Sequence, residues 1–377
     1  MQATSSPRLD ADDRVQLAQL RKVFHESGWQ RKPTGRLMLE LARQLLITSA
    51  GLAVIVLSDF WLVDAAGFLI ATIGTAGVVT HTHTSSHYAT SSRRWVNDAL
   101  TYFGYPMFVG LSATYWRHKH MVVHHRAPNV IGVDDDADLA PWFALTKEEA
   151  ARGGRIKQFY YERVQRWVIP IAIAANGFNM QIASWRFLLQ ALSGPRRRRE
   201  HWLDLGSMLL HYVFCLGVPL FWFAASDVLL VYVIRIVLMG YAMFAILAPG
   251  HFPAEALRVD SNVPIDELSL QTGASINFTT GWLGRLMCSG LEYQIEHHLF
   301  PLMPRNKLGE ARKIIKTFCQ RHDISYYETG TFRSYREILA YLHWVSAPLR
   351  GWPRFGRPWD RSNREKSPGT AKAVIAP

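Results

Sequence analysis

The chain has 377 residues, of which 49% are hydrophobic, and a formal net charge of +12. Its apolar residues are gathered into long blocks, which favours a membrane domain with polar flanks over two soluble domains. Much of the positive charge lies beside those blocks or in the C-terminal tail. This position indicates contact with anionic lipid headgroups and argues against nucleic acid as a partner. Three cysteines without a Cys-x-x-Cys spacing exclude a zinc ribbon.

Four apolar blocks in the chain are long enough to cross a membrane. Arg196 to Arg199 precede the third block and place its entry on the cytosolic side. We therefore expect an all-α integral membrane protein with four transmembrane helices in two hairpins and a cytosolic helical cap. A further amphipathic stretch, 167–192, is expected to lie in the bilayer surface. The expected segments are a polar N-terminal segment 1–40, a membrane domain 41–345 with spans 41–63, 65–80, 205–225 and 228–249, and a basic disordered tail 346–377.

The stretch 114–129 contains four histidines within eight residues: His118, His120, His124 and His125. On an α-helix, His120 and His124 lie one turn apart on the same face, and His125 lies about 100° round from His124. Two or three imidazoles would then point into one space, as a metal site requires. Imidazole suits iron, zinc, copper and nickel, so the stretch alone predicts a metal site without naming the metal.

More histidines follow the second and fourth blocks, and the two hairpins bring all of these clusters to one face. His81 and His118 are weaker candidates that the spacing places off the ligand face. Because one structural zinc takes four ligands, eight candidates predict two metal ions. The absence of Glu-x-x-His and His-Glu-x-x-His spacings excludes carboxylate-bridged di-iron bundles and zinc proteases. The eight predicted ligands are His83, His87, His120, His124, His125, His251, His297 and His298.

Three of these clusters resemble the histidine boxes of membrane fatty acid desaturases. The boxes are His83-x-x-x-His87, His120-x-x-x-His124-His125 and Gln294-x-x-His297-His298. The residues around them, including Gln294 in place of a first histidine, are similar to the front-end branch of that family. The second box has one residue more between its histidines than front-end members commonly have. No His-Pro pair is present, so the fused cytochrome domain of many relatives is not expected.

The resemblance implies a dioxygen-dependent desaturase that introduces a cis double bond into a lipid acyl chain. It implies two iron ions, dioxygen as co-substrate and electrons from a separate ferredoxin or b-type cytochrome. The expected partners are the acyl substrate, membrane lipids and that electron-transfer protein, with no nucleic acid. The expected location is a bacterial inner membrane, with the endoplasmic reticulum as the alternative and the metal site on the cytosolic face.

Several residues are candidates for supporting roles around the site. The acidic run 134–138 is either a solvated loop or a source of carboxylates that orient ligand imidazoles. Asn277 could support a ligand in the same way, and so could His118. The aromatic side chains expected to line an acyl tunnel are Tyr115, Trp116, Phe278 and Trp282.

Two other functions fit the same residues. A hydroxylase or ketolase of the same superfamily would use the same metals to insert oxygen. A membrane haem protein or metal transporter would use the histidines as haem or transit ligands. Haem ligands are expected inside the spans, where the sequence places only His211.

Overall fold

The computed structural model describes residues 11–136, 139 and 142–347. The α-helices are α1 Ala11–Glu26, α2 Thr34–Leu57, α3 Trp61–Ser86, α4 Arg94–Tyr102, α5 Ala113–Trp116, α6 Lys147–Arg152, α7 Arg155–Phe159, α8 Gln165–Ser193, α9 Arg199–Tyr212, α10 Ala225–His251, α11 Glu267–Gly273, α12 Trp282–Cys288, α13 Gln294–Leu299, α14 Arg305–Arg321 and α15 Thr331–Val345. The π-helical segments are Phe103–Val109, Arg117–Val123, Tyr160–Val164 and Val213–Gly217, and the 3-10 turns are His124–Arg126 and Pro219–Phe221. The strands are β1 Val130–Ile131, β2 Val259–Asp260, β3 Asn277–Thr279 and β4 Glu328–Gly330.

Four helices are long and apolar enough to cross a membrane, which confirms the predicted fold class. They are Thr34–Leu57, Trp61–Ser86, Arg199–Phe221 and Ala225–His251. The domain boundaries remain a prediction, and residues 348–377 of the expected tail lie outside the described residues.

The bounds of the first hairpin differ from the predicted ones. Helix α2 ends at Leu57, and Ser58 is extended. Asp64, which the predicted spans leave between them, lies in the first turn of α3. Helix α2 begins directly after Pro33, because proline lacks the amide hydrogen that a helix interior needs. Helix α3 continues past the apolar block as far as Ser86. This polar extension, which hydropathy alone does not register, carries His83.

Small residues let the membrane helices approach closely. A Cβ atom added to Gly51 of α2 would lie 2.3 Å from the backbone nitrogen of Ala71 in α3. One added to Gly240 of α10 would lie 2.3 Å from the carbonyl oxygen of Ile173 in α8. Such close contacts between small residues help to hold helices together in lipid, where the hydrophobic effect does not drive helices to associate.

Helix α8 contains the stretch 167–192 and packs along α10 in the antiparallel sense. Gly177 lies against Ile236, and the Tyr241 hydroxyl donates to the Pro170 carbonyl at 3.1 Å. Further along α8, Phe187 packs against Tyr115, with ring centroids 5.7 Å apart. Helix α8 thereby joins the fourth span to the segment that carries the second histidine box. Its position at the bilayer surface remains a prediction.

Two short parallel strand pairs tie distant segments together beside the histidines. Strand β1, which follows the second box, pairs with β2, which follows α10, with Val130 opposite Val259. Strand β3 pairs with β4, with Asn277 opposite Glu328. These strands are only two or three residues long, so they do not change the all-α class of the fold. The strand pairs fix the loops that leave the helices carrying the histidines.

Candidate metal centre

The structure brings all eight predicted ligands together in two neighbouring groups. In each group the candidate ligand atoms all lie within 4.8 Å of one another. The side chains are buried, that of His125 less completely than the others. The five-histidine group consists of His83, His87, His120, His125 and His297, and the three-histidine group consists of His124, His251 and His298.

Pairs of consecutive histidines divide between the two groups. His124 belongs to the three-histidine group and His125 to the five-histidine group, while His297 and His298 divide in the opposite order. Neighbouring residues of a helical turn point about 100° apart, so one short segment can reach two adjacent sites. This arrangement explains why two of the boxes end in a histidine pair.

The second box departs from the predicted α-helical geometry. Residues Arg117–Val123 are π-helical and His124–Arg126 form a 3-10 turn. The wider π turn brings residues i and i+5 together, and the His120 and His125 Nε2 atoms lie 3.1 Å apart. His120 and His124 therefore belong to different ligand groups, although their rings still stack with centroids 5.2 Å apart.

The three-histidine group is oriented by hydrogen bonds from its Nδ1 atoms. His124 donates to Asp134 Oδ2 at 2.9 Å, His251 to the Ala274 carbonyl at 3.2 Å, and His298 to Gln271 Oε1 at 3.0 Å. None of these acceptors carries a proton when Asp134 is ionised, so Nδ1 must be the protonated nitrogen in each ring. When each ring is neutral, its Nε2 atom then keeps its lone pair free for a metal.

Several buried nitrogens lack any partner within the described part of the chain. The Nε2 atoms of His87, His297 and His298 are buried without a hydrogen bond. Burial lowers the pKa of His87 to about 3 and holds the pKa values of His297 and His298 well below the usual histidine value. The rings are therefore neutral at neutral pH. Buried, neutral and unpartnered imidazoles fit a bound transition metal, with which they would form bonds.

Asp134 is the carboxylate that orients His124. It is buried and also accepts hydrogen bonds from the backbone amides of Asn129 and Asp136, at 2.9 and 3.1 Å. Burial opposes ionisation, but the bonds to His124 and these amides hold the Asp134 pKa below its usual value. Burial alone would lower the pKa of His124, and the contact with Asp134 raises it instead. Of the two interpretations of the acidic run, the orientation of a ligand imidazole therefore applies to Asp134. Residues 137 and 138 of the run lie outside the described residues.

Glu296 holds the short helix that carries His297 and His298. It is fully buried and accepts hydrogen bonds from Asn277 Nδ2 at 2.8 Å and from the Tyr326 hydroxyl at 2.7 Å. Asn277 Oδ1 accepts from the backbone amide of Ile295 at 3.0 Å. Burial raises the pKa of Glu296 to about 7 although both hydrogen bonds oppose the shift. Asn277 therefore supports the third histidine box, through its hydrogen bonds to Glu296 and to the Ile295 amide.

Asp204 is a supporting residue that the sequence analysis missed. This buried residue of α9 receives hydrogen bonds at the start of α5, from the backbone amides of Ala113 and Thr114 and from two hydroxyls. Helix α5 leads directly into the π-helical second box. An isolated aspartate at the edge of an apolar block was the available signal, because a buried carboxylate needs partners.

Other predicted positions have more ordinary surroundings. His118 is exposed and packs against Phe187, in contrast to the supporting role expected for it. His81 is buried beside the site without belonging to either group. His211 is a satisfied buried histidine bonded to the Tyr232 hydroxyl at 2.9 Å. Trp282 is 74% exposed, so its predicted place in a tunnel wall is wrong.

Four membrane-length helices and eight buried imidazoles at one end of them define a membrane protein with a histidine-lined candidate metal centre. A family model described as fatty acid desaturase matches residues 59–330, a range that contains all eight histidines. The chain belongs to the fatty acid desaturase family. This membership confirms the resemblance seen in the three boxes.

Individual relatives are similar over most of this chain. It is 26% identical to the Delta(5) fatty acid desaturase fat-4 of Caenorhabditis elegans over 69% of this chain and 61% of that protein. It is 25% identical to the Fatty acid desaturase 2-like protein FADS2B of Mus musculus over 81% of this chain and 60% of that protein. The Fatty acid desaturase 3 of Homo sapiens is 26% identical over 74% of this chain and 60% of its own length. The chain thus spans about 60% of the length of these relatives.

Proposed function

We propose that this chain is a dioxygen-dependent di-iron desaturase that introduces a cis double bond into the acyl chain of a fatty acid derivative or lipid. The observation that carries the proposal is the meeting of eight histidines, with unpartnered Nε2 atoms among them, at the end of four membrane-length helices. Family membership supports the same activity.

The chemistry requires a metal because an unactivated methylene offers no proton that an amino-acid side chain could remove. When bound, two irons would supply the oxidant, with dioxygen as the terminal electron acceptor. One –CH2–CH2– unit, one dioxygen, two electrons and two protons give one –CH=CH– unit and two waters. The two electrons must come from outside the chain, and we propose a ferredoxin or b-type cytochrome as donor.

The residues of the chain hold and orient the proposed metals. The five-histidine group would hold one ion and the three-histidine group the other. Asp134, Gln271 and the Ala274 carbonyl keep three rings in the tautomer that binds metal. Neither group contains a carboxylate. A donor set made entirely of imidazoles differs from the Glu-x-x-His sites of soluble di-iron bundles.

An apolar wall lies next to the site and suits an acyl chain. Trp116 stacks on His120 with ring centroids 4.8 Å apart. Trp116 also packs in a cluster that continues toward the spans through Val79, Leu111 and Met239. A flexible wall that contains methionine can close around an acyl chain. The position of that acyl chain beside His120 would decide which of its carbons react.

The proposed location is the bacterial inner membrane, or alternatively the endoplasmic reticulum, with the histidines facing the cytosol. The arginine run 196–199 at the start of α9 supports this orientation. The membrane lipids and an acyl-bearing substrate are the remaining proposed partners.

Expression in a host that lacks polyunsaturated fats, followed by mass analysis of total fatty acids, tests the activity. We expect a product lighter than its precursor by two hydrogens. His297→Ala and His298→Ala should abolish that product, whereas His343→Ala, which alters an exposed histidine of α15, should not. A product with one added oxygen would identify a hydroxylase instead, and equal loss in all three variants would remove the site assignment.

A further inference from the structure

A surface pocket of about 260 Å³ lies beside the first histidine box. It forms where the chain before α2 meets the turn between α3 and α4. Cationic, hydroxyl and amide side chains line it, and no carboxylate does. The lining residues are Lys32, Tyr88, Ser91, Ser92, Arg94 and Asn97.

Positive charge exceeds negative charge around this pocket. The Lys32 ammonium donates a hydrogen bond to the Tyr88 carbonyl, and the described residues give it no ion pair with a carboxylate. Arg94 lies 3.8 Å from Asp98, and Arg117 holds the same carboxylate at 2.5 Å. One aspartate is thus shared between two arginines while Lys32 has none. Burial lowers the pKa of Lys32, as expected for an ammonium that lacks a counter-ion.

The pocket wall contains a turn that is fixed by its own hydrogen bonds. Asn97 Oδ1 accepts from the backbone amides of Thr90 and Ser91, both at 3.1 Å, and its Nδ2 donates to the Ser91 carbonyl at 2.7 Å. Helix α4 begins just beyond this turn at Arg94, and the first amides of a helix lack intrahelical partners. A fixed turn, a helix start and two cations form the surroundings that an anionic group requires.

Tyr88 connects this pocket to the candidate metal centre. It follows His87 directly and has φ of 58°, a left-handed conformation that is strained for a bulky side chain. Its hydroxyl donates to Asp98 at 3.2 Å, and the Arg94 and Arg117 guanidinium groups lie 5.2 and 5.3 Å from its ring centre. These contacts hold the strained residue, so the pocket wall and the first histidine box are fixed to each other.

We propose that this pocket binds the phosphate group carried by the acyl substrate, either on coenzyme A or on a phospholipid headgroup. The identity of the ligand as a substrate rests on the proposed function, whereas the anion site rests on the pocket itself. A phosphate held beside Tyr88 would anchor the polar end of the substrate next to His87 and leave its acyl chain to reach the histidines. The distance from anchor to metal would then influence which carbons react.

Equilibrium binding to the purified full-length chain in detergent tests this proposal. The probes are radiolabelled coenzyme A and dihexanoyl phosphatidic acid, and the probe that binds identifies the source of the phosphate. Lys32→Met and Arg94→Met should each weaken binding about tenfold, the usual effect of losing one charge-assisted hydrogen bond. Lys32→Arg should retain most of the affinity.

Lys22→Met is the matched control, because Lys22 is an exposed lysine of α1 whose loss changes the net charge equally. It should bind the probe as the unaltered chain does. The proposal is overturned if neither probe binds, or if both methionine variants of the pocket bind as the control does. The measurement requires no turnover, so failure of the desaturase assignment would leave the binding result intact.

Discussion

The ability of individual histidines in this site to bind metal depends on their burial as well as on their position. His87, His297 and His298 are buried, and none has a partner for its Nε2 atom within the described residues. In water each ring would titrate near its ordinary pKa of about 6.5. Burial prevents protonation inside the fold, so the rings remain ready to bind metal. The same burial makes the metal-free protein sensitive to acid.

We expect the metal-free chain to lose stability as the pH falls below about 6.5. The pKa of His87 is about 3 in the folded state, so between these values the unfolded chain binds protons that the folded chain does not. Stability therefore rises with pH in this window, by about 1.4 kcal/mol per pH unit for each such imidazole. Thermal unfolding in detergent from pH 7 to pH 5 measures the slope.

His87→Gln should reduce that slope, whereas His343→Gln, at an exposed position, should leave it unchanged. A transition temperature that is flat between pH 7 and pH 5 would contradict the burial argument.

The second histidine box is an element whose local geometry the sequence pattern does not predict. The histidine spacing placed His120, His124 and His125 in one region, but α-helical periodicity did not predict that His120 would group with His125 and not with His124. The π-helical segment Arg117–Val123 changes which residues face each other, and no residue type specifies such a segment by itself. Its stability depends on contacts with other segments, such as that between Trp116 and Tyr105, whose ring centroids lie 5.0 Å apart.

Asp204 is the tertiary contact that fixes the start of this segment. Asp204→Asn replaces an acceptor oxygen with an amide donor that faces amide and hydroxyl donors of residues 112–114. We expect a loss of about 2 kcal/mol or more in stability and a marked loss of bound iron, because buried donors would remain unpaired. Thermal unfolding and iron content of the purified variant measure both effects.

Asp227→Asn is the control, since Asp227 is exposed at the start of α10. If the two variants behave alike, Asp204 does not position the second box.

For the whole molecule, hydropathy and histidine spacing were sufficient to predict four membrane helices and the eight histidines that meet. They were insufficient for contacts between distant segments, such as the hydrogen bond from His298 to Gln271 or from Tyr326 to Glu296. These contacts depend on how loops fold over the site, and no local periodicity encodes them. The pocket at Lys32 is a similar case, because its two cations are 62 positions apart in the chain.

A shared site also requires every histidine to lie on the same side of the membrane. Four spans return the chain to its starting side, which we propose to be the cytosol. Single cysteines introduced within 196–200 and within 305–312 should resist an impermeant thiol reagent added from outside. A cysteine at Asp227, which is exposed in the first turn of the fourth span, should react. If the cysteine within 305–312 is labelled from outside, the third histidine box lies on the opposite side of the membrane from the first, and a shared site is excluded.

Metal analysis of the purified, iron-reconstituted chain tests the central claim most directly. If the five-histidine and three-histidine groups each hold one ion, the chain should contain two irons and no stoichiometric zinc. His298→Ala should lower this content while His343→Ala retains it, because only His298 belongs to a ligand group. One zinc per chain, in a protein that is active without iron, would contradict the account.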